Sequence, residues 1–192
     1  IMGTPLGVSS TFVFMFILFG SFLDKTGVGQ FFIDFAYALT GSTRSGPAMT
    51  SVVSSGLMGS ISGSSVANTV TTGAFTIPLM KKVGYAPYYA GAVEATSSTG
   101  GQIMPPVMGA AAFIMADFTG FQYIEIVKAA VIPAVLYYIA VGTMVHLEAC
   151  KIGLKGLPRE QLPKISNIIL KQGYLLFPLI AIVYMLVKQQ PP

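Results

Sequence analysis

A stretch of ten residues with the sequence SSTGGQIMPP, at 97–106, lies inside one of the most apolar regions of the chain. Its two glycines and two prolines should interrupt a helix, because proline has no backbone N–H and glycine is a poor helix former. The surrounding segment, 85–118, carries almost no charge. An unwound backbone in such surroundings needs protein partners or a wet cavity for its polar groups. The stretch therefore predicts a broken helix, with halves near 89–98 and 107–118.

The whole chain is similarly apolar, with 53% hydrophobic and only 9% charged residues. Soluble domains average roughly a quarter charged residues, so this composition indicates an integral membrane protein. The sequence starts at Ile1 without an initiator Met, and no basic leader precedes the first apolar run, so we expect the chain to be a piece of a longer protein. Cys150 is the single cysteine, which excludes a disulfide framework and a CxxC metal site. The basic residues lie at segment ends, which argues against nucleic-acid binding.

Apolar runs set the predicted layout, since a helix needs about 20 such residues to cross the hydrocarbon core. The run at 31–39 is too short to cross, and with Asp34 it suits an amphipathic helix at the membrane surface. We expect a single membrane domain that is all-α. In chain order its predicted elements are a transmembrane span at 5–23, an interfacial helix at 31–39, a re-entrant hairpin at 47–80, a broken transmembrane helix at 85–118, and transmembrane spans at 129–147 and 165–187.

The distribution of basic residues supports the re-entrant hairpin. If 47–80 enters the membrane and returns to the side it left, nine basic residues share one face and two lie on the other. Cytoplasmic segments are enriched in Lys and Arg, so the hairpin is predicted to open to the cytoplasm. A full crossing would instead mix the pattern. The nine residues are Lys25, Arg44, Lys81, Lys82, Lys151, Lys155, Arg159, Lys164 and Lys171, and the two are Lys128 and Lys188.

The hairpin should have limbs at 47–60 and 67–80 and a tip at SISGSSV, 60–66. A limb of fourteen residues spans about 21 Å, past the midplane of a core about 30 Å thick. The tip exposes free carbonyls from one limb and free N–H groups from the other. Such a tip, beside a helix broken at Pro105 and Pro106, is typical of secondary transporters. Oxygen-rich helix ends suit Na⁺ and helix N-termini suit an anion, and the sequence has no phosphate loop for a nucleotide.

Residues 55–116, SGLMGSISGSSVANTVTTGAFTIPLMKKVGYAPYYAGAVEATSSTGGQIMPPVMGAAAFIMA, closely resemble the large membrane (permease) subunit of tripartite ATP-independent periplasmic (TRAP) transporters. The likeness is strongest to the fused, TAXI-type permeases. It extends to FGSFLDKTGVGQFF upstream and to MVHLEACKIGLKGLPREQLP downstream, so it covers most of the chain.

The resemblance implies an elevator-type symporter of the bacterial or archaeal cytoplasmic membrane, and not an enzyme. It implies Na⁺ as the coupling ion and small organic anions as substrates, of the C4-dicarboxylate, 2-oxo acid or amino-acid class. The implied partners are a periplasmic substrate-binding protein, a small membrane subunit or fused domain, and the remaining half of the permease. That half is expected because the family builds its site from two inverted repeats, whereas this chain has one SGSS and one GGQIMPP.

The resemblance also implies roles for individual residues. The expected Na⁺ ligands are Ser62, Gly63, Ser64, Asn68, Thr99 and Gly101, and the expected substrate-binding residues are Ser65, Ser98, Gly100 and Gln102. Apart from the resemblance, a buried acid in a membrane is functional by default, so Glu94, about one turn before the break, could bind a cation, relay a proton, or pair with Lys81 and Lys82 near the interface.

Other interpretations of the same residues stay open. Clusters of Ser and Gly can simply permit close helix packing, and Asn68 can simply cap the second limb. The chain could form a passive anion channel, or a membrane subunit with no transport role. An intramembrane serine protease is remote, because His146 is the single histidine and is predicted at a membrane face, far from the tip serines.

Overall fold

The computed structural model describes residues 14–156, 158, 160, 162–177, 180, 181 and 184, together with 7 and 10. Every regular element in this part of the chain is helical, which confirms the predicted all-α class. The helices are α1 (Phe14–Lys25), α2 (Val28–Thr40), α3 (Gly46–Ser62), α4 (Ser65–Val83), α5 (Pro87–Thr99), α6 (Ala110–Thr119), α7 (Tyr123–Lys151) and α8 (Ile165–Gln172), with 3₁₀ turns at Gly100–Gln102 and Gly173–Leu176.

Helices α3 and α4 form a helical hairpin with a very short turn. Pro47 lies in the first turn of α3, where its missing N–H costs nothing, and Gly63 ends the helix with a left-handed backbone at φ 58°. Ser64 then caps α4, its Oγ accepting from the Ala67 N–H at 3.3 Å. The turn is thus residues 63–64 alone, much shorter than the predicted tip at 60–66, because α3 stays helical to Ser62 and α4 begins at Ser65.

The helical path stops after α5, at the glycine pair. Helix α5 ends at Thr99, one 3₁₀ turn covers Gly100–Gln102, and irregular backbone follows until α6 begins at Ala110. The peptide bond between Pro105 and Pro106 is cis, and Met108 has a left-handed backbone at φ 58°. The backbone therefore leaves the helix over ten residues, 100–109, where the sequence places its glycines and prolines.

Helix α7 is the longest helix and, within the described residues, the one that is long and apolar enough to cross a membrane. It exceeds the predicted span at 129–147 at both ends. Its outward surface is apolar: Ile132, Leu136 and Met144 are each more than 60% exposed. Large exposed apolar surfaces are rare on soluble monomers, so this face suits contact with lipid or with another membrane helix.

The other predicted spans are only partly described. Helix α1 covers the second half of 5–23, whereas residues 5, 6, 8, 9 and 11–13 lie outside the described residues. Helix α8 begins at Ile165, as the span 165–187 predicts, but the helix tightens to a 3₁₀ turn at Gly173, and most residues after Phe177 lie outside the described part of the chain.

Two apolar cores hold the hairpin between its neighbours. In the first core α2, which covers the predicted interfacial segment 31–39, packs its aromatic residues against α1, α3 and α8; it contains Leu23, Val28, Phe31, Phe32, Met58, Ile61, Ile168 and Leu175. The second core joins α3 and α4 to α5 and α7, and contains Ala48, Val52, Met80, Tyr85, Ala90, Val93, Val145 and Ala149. Limb α3 therefore takes part in both cores and limb α4 in the second, which positions the turn against the break.

Candidate functional site

The turn of the hairpin and the break after α5 contact each other through the backbone. The Val107 N–H donates to the Ser60 carbonyl at 3.2 Å, so one of the free carbonyls at the end of α3 is satisfied by the irregular segment. A side-chain bond adds to this contact, since Gln102 Nε2 donates to Ser65 Oγ at 2.9 Å. The two irregular regions, separate in the sequence, thus form one polar site.

Glycines allow this contact. A Cβ atom on Gly59 would lie 2.3 Å from the Gly101 Cα, and one on Gly101 would lie 2.7 Å from the Gly59 Cα. At the turn, a Cβ on Gly63 would lie 1.8 Å from the Met108 carbonyl oxygen. Real Cβ contacts are never this short, so the backbones of α3 and of the break approach to a distance that no other residue permits.

The residues expected to bind Na⁺ fall into two groups in the structure. Ser62, Gly63 and Ser64 line the partly buried turn, and the Ser64 N–H donates to Ser62 Oγ at 3.4 Å. Asn68 and Gly101 are buried next to each other, since a Cβ on Gly101 would lie 3.3 Å from Asn68 Nδ2. Asn68 Nδ2 also donates to the Ser55 carbonyl at 2.8 Å, which ties α4 to α3.

Thr99 lies apart from these residues. Its side chain is exposed, and its hydroxyl donates to the Ala95 carbonyl of its own helix at 2.8 Å. A role for Thr99 in ion binding would therefore use the carbonyl and not the hydroxyl.

The four residues expected to bind substrate do not lie together. Ser65 and Gln102 are paired at the turn. Gly100 instead faces the rings of Tyr137 and Tyr138, where a Cβ would lie 2.5 Å from Tyr137 Cε1. Ser98 is buried, and its hydroxyl donates to the Glu94 carboxylate at 3.1 Å. The pair at the turn is the part of this set that a ligand in the site can reach.

Glu94 is fully buried, with 0% exposure, and its partners are hydroxyl groups. Lys81 and Lys82, the alternative partners considered from the sequence, are exposed and form no ion pair with it. Ser51, Ser55 and Ser98 donate to the carboxylate at 2.7, 3.3 and 3.1 Å, and Thr72 and Thr76 also donate to it. The sequence carried a signal for this shell, because the two serines of α3 and the two threonines of α4 are each spaced i, i+4 and so share a helix face.

Three tyrosines of α7 bind the backbone around the break. Tyr137 and Tyr138 donate to the Thr96 and Ser97 carbonyls at 2.8 and 3.0 Å, at the end of α5. Tyr123 donates to the Pro106 carbonyl at 3.1 Å and to the Val107 carbonyl. The hydroxyls of these three tyrosines hold carbonyls on both sides of the break.

The donor set of the site consists of oxygen atoms. It includes the hydroxyls of Ser62, Ser64 and Ser65 and the carbonyls of the unwound backbone, whereas Asn68 turns Nδ2 towards Gly101 and Oδ1 towards the Thr72 hydroxyl. Within the described part of the chain, no group of three or more His, Cys, Asp or Glu residues is placed to hold a metal. Neutral oxygen donors suit a hard, singly charged cation better than a transition metal.

Comparison with known proteins identifies the family of the chain. Residues 1–190 match the sequence model of the family described as the DctM component of the tripartite ATP-independent periplasmic transporter. The chain belongs to this family. The DctM family is a family of transport permeases and not of enzymes, and it implies a membrane protein.

Individual relatives of this DctM-family chain carry matching names. It is 29% identical over 147 residues, 77% of its length, to the C4-dicarboxylate TRAP transporter large permease protein DctM of Pseudomonas aeruginosa. It is 38% identical over 91 residues, 47% of its length, to the protein of the same name from Vibrio cholerae. It is 30% identical over 91 residues, again 47% of its length, to the isethionate TRAP transporter permease protein DctMQ of Oleidesulfovibrio alaskensis.

These matches cover only part of each relative. The DctM-family chain spans 34% of the Pseudomonas protein, 20% of the Vibrio protein and 14% of the Oleidesulfovibrio protein. It therefore corresponds to about a third or less of a complete large permease.

Proposed function

We propose that this chain supplies one half of the transport site of a Na⁺-coupled TRAP symporter that imports a small organic anion. In this proposal the hairpin turn and the break bind Na⁺, and the helix N-terminus at Ser65 faces the substrate carboxylate. Family membership supports the general transport role. The ion, the direction of coupling and the substrate are the parts that we add.

The observation that carries the proposal is the contact between the turn and the break. Two stretches outside the α-helices, 63–64 and 100–109, meet at Gly63 and Met108, and the last turn of α3 meets the break at Gly59 and Gly101. Backbone without helical partners is tolerated at membrane depth only where protein or a water-filled cavity satisfies it. An ion site between discontinuous helices is the use that secondary transporters make of such backbone.

We assign the ligands to residues of the turn, of the start of α4 and of the break. Ser62, Gly63, Ser64, Asn68, Gly101 and the Thr99 carbonyl would hold Na⁺, whereas Ser65 and Gln102 would meet the anion. Ser98 and Gly100 leave the proposed substrate set, because they face Glu94 and the α7 tyrosines. A complete site needs a second set of ligands from the rest of the permease.

The setting of the transporter follows from charge and from the family. We propose that the chain lies in the cytoplasmic membrane with the hairpin entering and leaving on the cytoplasmic side, where nine basic residues would gather. Its partners would be a periplasmic substrate-binding protein, a small membrane subunit or fused domain, and the other half of the permease. The substrate would be of the C4-dicarboxylate, 2-oxo acid or amino-acid class; two of the relatives named above carry C4-dicarboxylate in their names.

The direct test is uptake by the complete system in proteoliposomes. The intact permease, reconstituted with its membrane partner and binding protein, is given labelled succinate, 2-oxoglutarate or glutamate with an inward gradient of Na⁺ or of K⁺. We expect accumulation of one class of anion with Na⁺ only. We also expect Asn68→Ala to raise the Na⁺ concentration for half-maximal uptake about tenfold or more, as for the loss of a buried polar ligand.

Other outcomes would contradict the proposal. Equal accumulation with Na⁺ and K⁺ would rule out Na⁺ coupling. Equilibration of the anion without accumulation would indicate a passive channel. Full uptake by a variant that combines Ser62→Ala, Ser64→Ala and Asn68→Ala would show that the turn is only a packing element.

A further inference from the structure

We infer that Glu94 is a positioning residue for the proposed ion site: its carboxylate ties both limbs of the hairpin to α5 and so fixes Asn68 against Gly101. The inference rests on the proposed function, because it concerns the geometry of that site. Glu94 itself does not reach the turn. Its effect passes through the hydroxyls that surround it.

The carboxylate has partners on three helices. On α3 it accepts from Ser51 and Ser55, on α4 from Thr72 and Thr76, and on α5 from Ser98, one turn along its own helix. All five hydroxyl residues are, like Glu94, 0% exposed. The contacts are cross-links between helices, since the partners on α3 lie 43 and 39 residues away in sequence.

The two carboxylate oxygens have different neighbours. Oε2 accepts from Ser51 and Thr76, on the side away from the turn. Oε1 accepts from Ser55, Thr72 and Ser98, on the side towards it. The Oε1 side is therefore the one that can influence the site.

Asn68 is held by two residues of the Oε1 side. Its Nδ2 donates to the Ser55 carbonyl at 2.8 Å, and its Oδ1 lies 3.4 Å from the Thr72 hydroxyl. The Thr72 hydroxyl also lies 2.8 Å from the Asn68 carbonyl. Any shift of Ser55 or Thr72 would consequently rotate or displace the Asn68 amide, which contacts Gly101 at the break.

A carboxylate suits this role because of its hydrogen-bonding capacity. When ionised it only accepts, at about four lone-pair positions, so it can hold hydroxyls from several helices at once. A glutamine amide has one accepting oxygen and donates from the other end. With glutamine at this position, Thr72 and Thr76 could return their hydrogens to the carbonyls of their own helix, at 2.8 and 3.0 Å. The fold would then persist while the cross-links between helices are lost.

Close packing leaves the carboxylate no alternative position. A Cβ on Gly73 would lie 3.0 Å from the Glu94 Cγ, so α4 approaches the stem of this side chain as closely as a glycine allows. The hydroxyl shell and the tight stem together fix the side chain in one place.

The test compares Glu94→Gln with Glu125→Gln in the intact, reconstituted permease. Glu125 is an exposed glutamate at the start of α7 and serves as the matched control. We expect Glu94→Gln to raise the Na⁺ concentration for half-maximal uptake about tenfold, the effect of losing hydrogen bonds to a charged group, with a much smaller change in the maximal rate. Glu125→Gln should change neither. A residue that only maintained the fold would lower the maximal rate and leave the Na⁺ dependence unchanged.

A second pair of variants tests the route through Oε1. Thr72→Val removes a hydroxyl that contacts both Glu94 and Asn68, whereas Thr76→Val removes one that contacts Glu94 through Oε2. We expect the Na⁺ requirement to rise more in Thr72→Val than in Thr76→Val. This pair of variants also tests the positioning role of Glu94 if Glu94→Gln fails to fold.

The other possible outcomes separate a failure of this inference from a failure of the proposed function. If the wild type depends on Na⁺ but Glu94→Gln, folded with an unchanged thermal midpoint, has the wild-type Na⁺ requirement, the inference is wrong and the proposed function stands. Equal effects of Thr72→Val and Thr76→Val would also overturn it. If uptake by the wild type does not depend on Na⁺, both the proposed function and this inference are wrong.

Discussion

The contact of Gly59 with Gly101 is the residue-scale feature on which the site depends most directly. We expect Gly59→Ala to destabilise the protein by about 1–3 kcal/mol, the usual cost of overpacking, because its methyl group would overlap the Gly101 backbone. Uptake should fall with it, since the turn would be pushed away from the break. Thermal unfolding of the purified intact permease and uptake in proteoliposomes measure the two effects.

Gly91 provides the matched control for this substitution. It lies inside α5, and a Cβ there would meet nothing within 4 Å. Gly91→Ala should therefore leave stability unchanged or raise it by up to about 1 kcal/mol, the difference in helix propensity. If Gly59→Ala proves as harmless as Gly91→Ala, the backbone contact does not hold the site together.

Sequence reasoning at this scale located the turn and the break but not the direction of each side chain. SGSS and GGQIMPP marked the turn and the break, and the two do meet. Ser98 and Thr99 are neighbours in sequence, yet one is buried against Glu94 and the other is exposed, because successive helical residues point about 100° apart. The five partners of Glu94 come from three helices, and a single sequence does not say which helices become neighbours.

At the scale of elements, α7 stabilises the break from outside. A helix that ends inside an apolar region leaves carbonyls without partners, and α7 supplies hydroxyl donors at both ends of the gap. Tyr137 and Tyr138 donate to carbonyls at the end of α5, and Tyr123 donates to a carbonyl of the segment before α6. The break is therefore a structure shared by two elements that are remote in sequence.

We expect Tyr138→Phe to lower the stability of the permease by about 0.5–1.5 kcal/mol, the net value of one hydrogen bond. The ring would stay in place against Gly100 while the Ser97 carbonyl loses its donor. Tyr123→Phe should cost at least as much, since its hydroxyl contacts two carbonyls. Thermal unfolding in detergent measures both.

Tyr88→Phe is the control for the tyrosine variants, because Tyr88 is 83% exposed at the start of α5. Its unfolding midpoint should match that of the wild type. A midpoint for Tyr138→Phe that also matches the wild type would show that α7 contributes apolar packing alone and that the carbonyls find other donors.

The ends of helices were predictable where residues close in sequence determine them. They were less predictable where contacts with other helices determine them. Pro at the start of α3, Gly63 at its end and the glycine and proline pairs after α5 act locally, so the sequence placed these ends within a few residues. The turn came out shorter than predicted, since packing keeps Ser60–Ser62 helical. The sequence predicted a helix at the membrane surface over 31–39. In the structure α2 buries Phe31, Phe32 and Ile33 against neighbouring helices, which the hydrophobic pattern of this segment does not reveal.

At the scale of the whole molecule, α7 sets the relation of the chain to the membrane. Its 29 residues correspond to about 43 Å of helix, enough to cross a hydrocarbon core of about 30 Å. One end carries Lys151, in the last turn, and the other lies close to Lys128. The distribution of basic residues predicts that the Lys151 end is cytoplasmic. The orientation of α7 across the membrane then determines the side on which the hairpin opens.

Cys150 makes this orientation testable, because it is exposed in the last turn of α7. In a permease whose cysteines outside this chain are replaced, we expect Cys150 to resist a membrane-impermeant maleimide in intact spheroplasts and to react after permeabilisation. The Glu125→Cys variant in a Cys150→Ser background should behave in the opposite way, since Glu125 is exposed at the other end of the same helix. Labelling of Cys150 in intact spheroplasts would show that the Lys151 end of α7 lies outside, which is the opposite of the predicted orientation. The hairpin would then open to the periplasm, and the proposed Na⁺ site would have to be loaded from the opposite side.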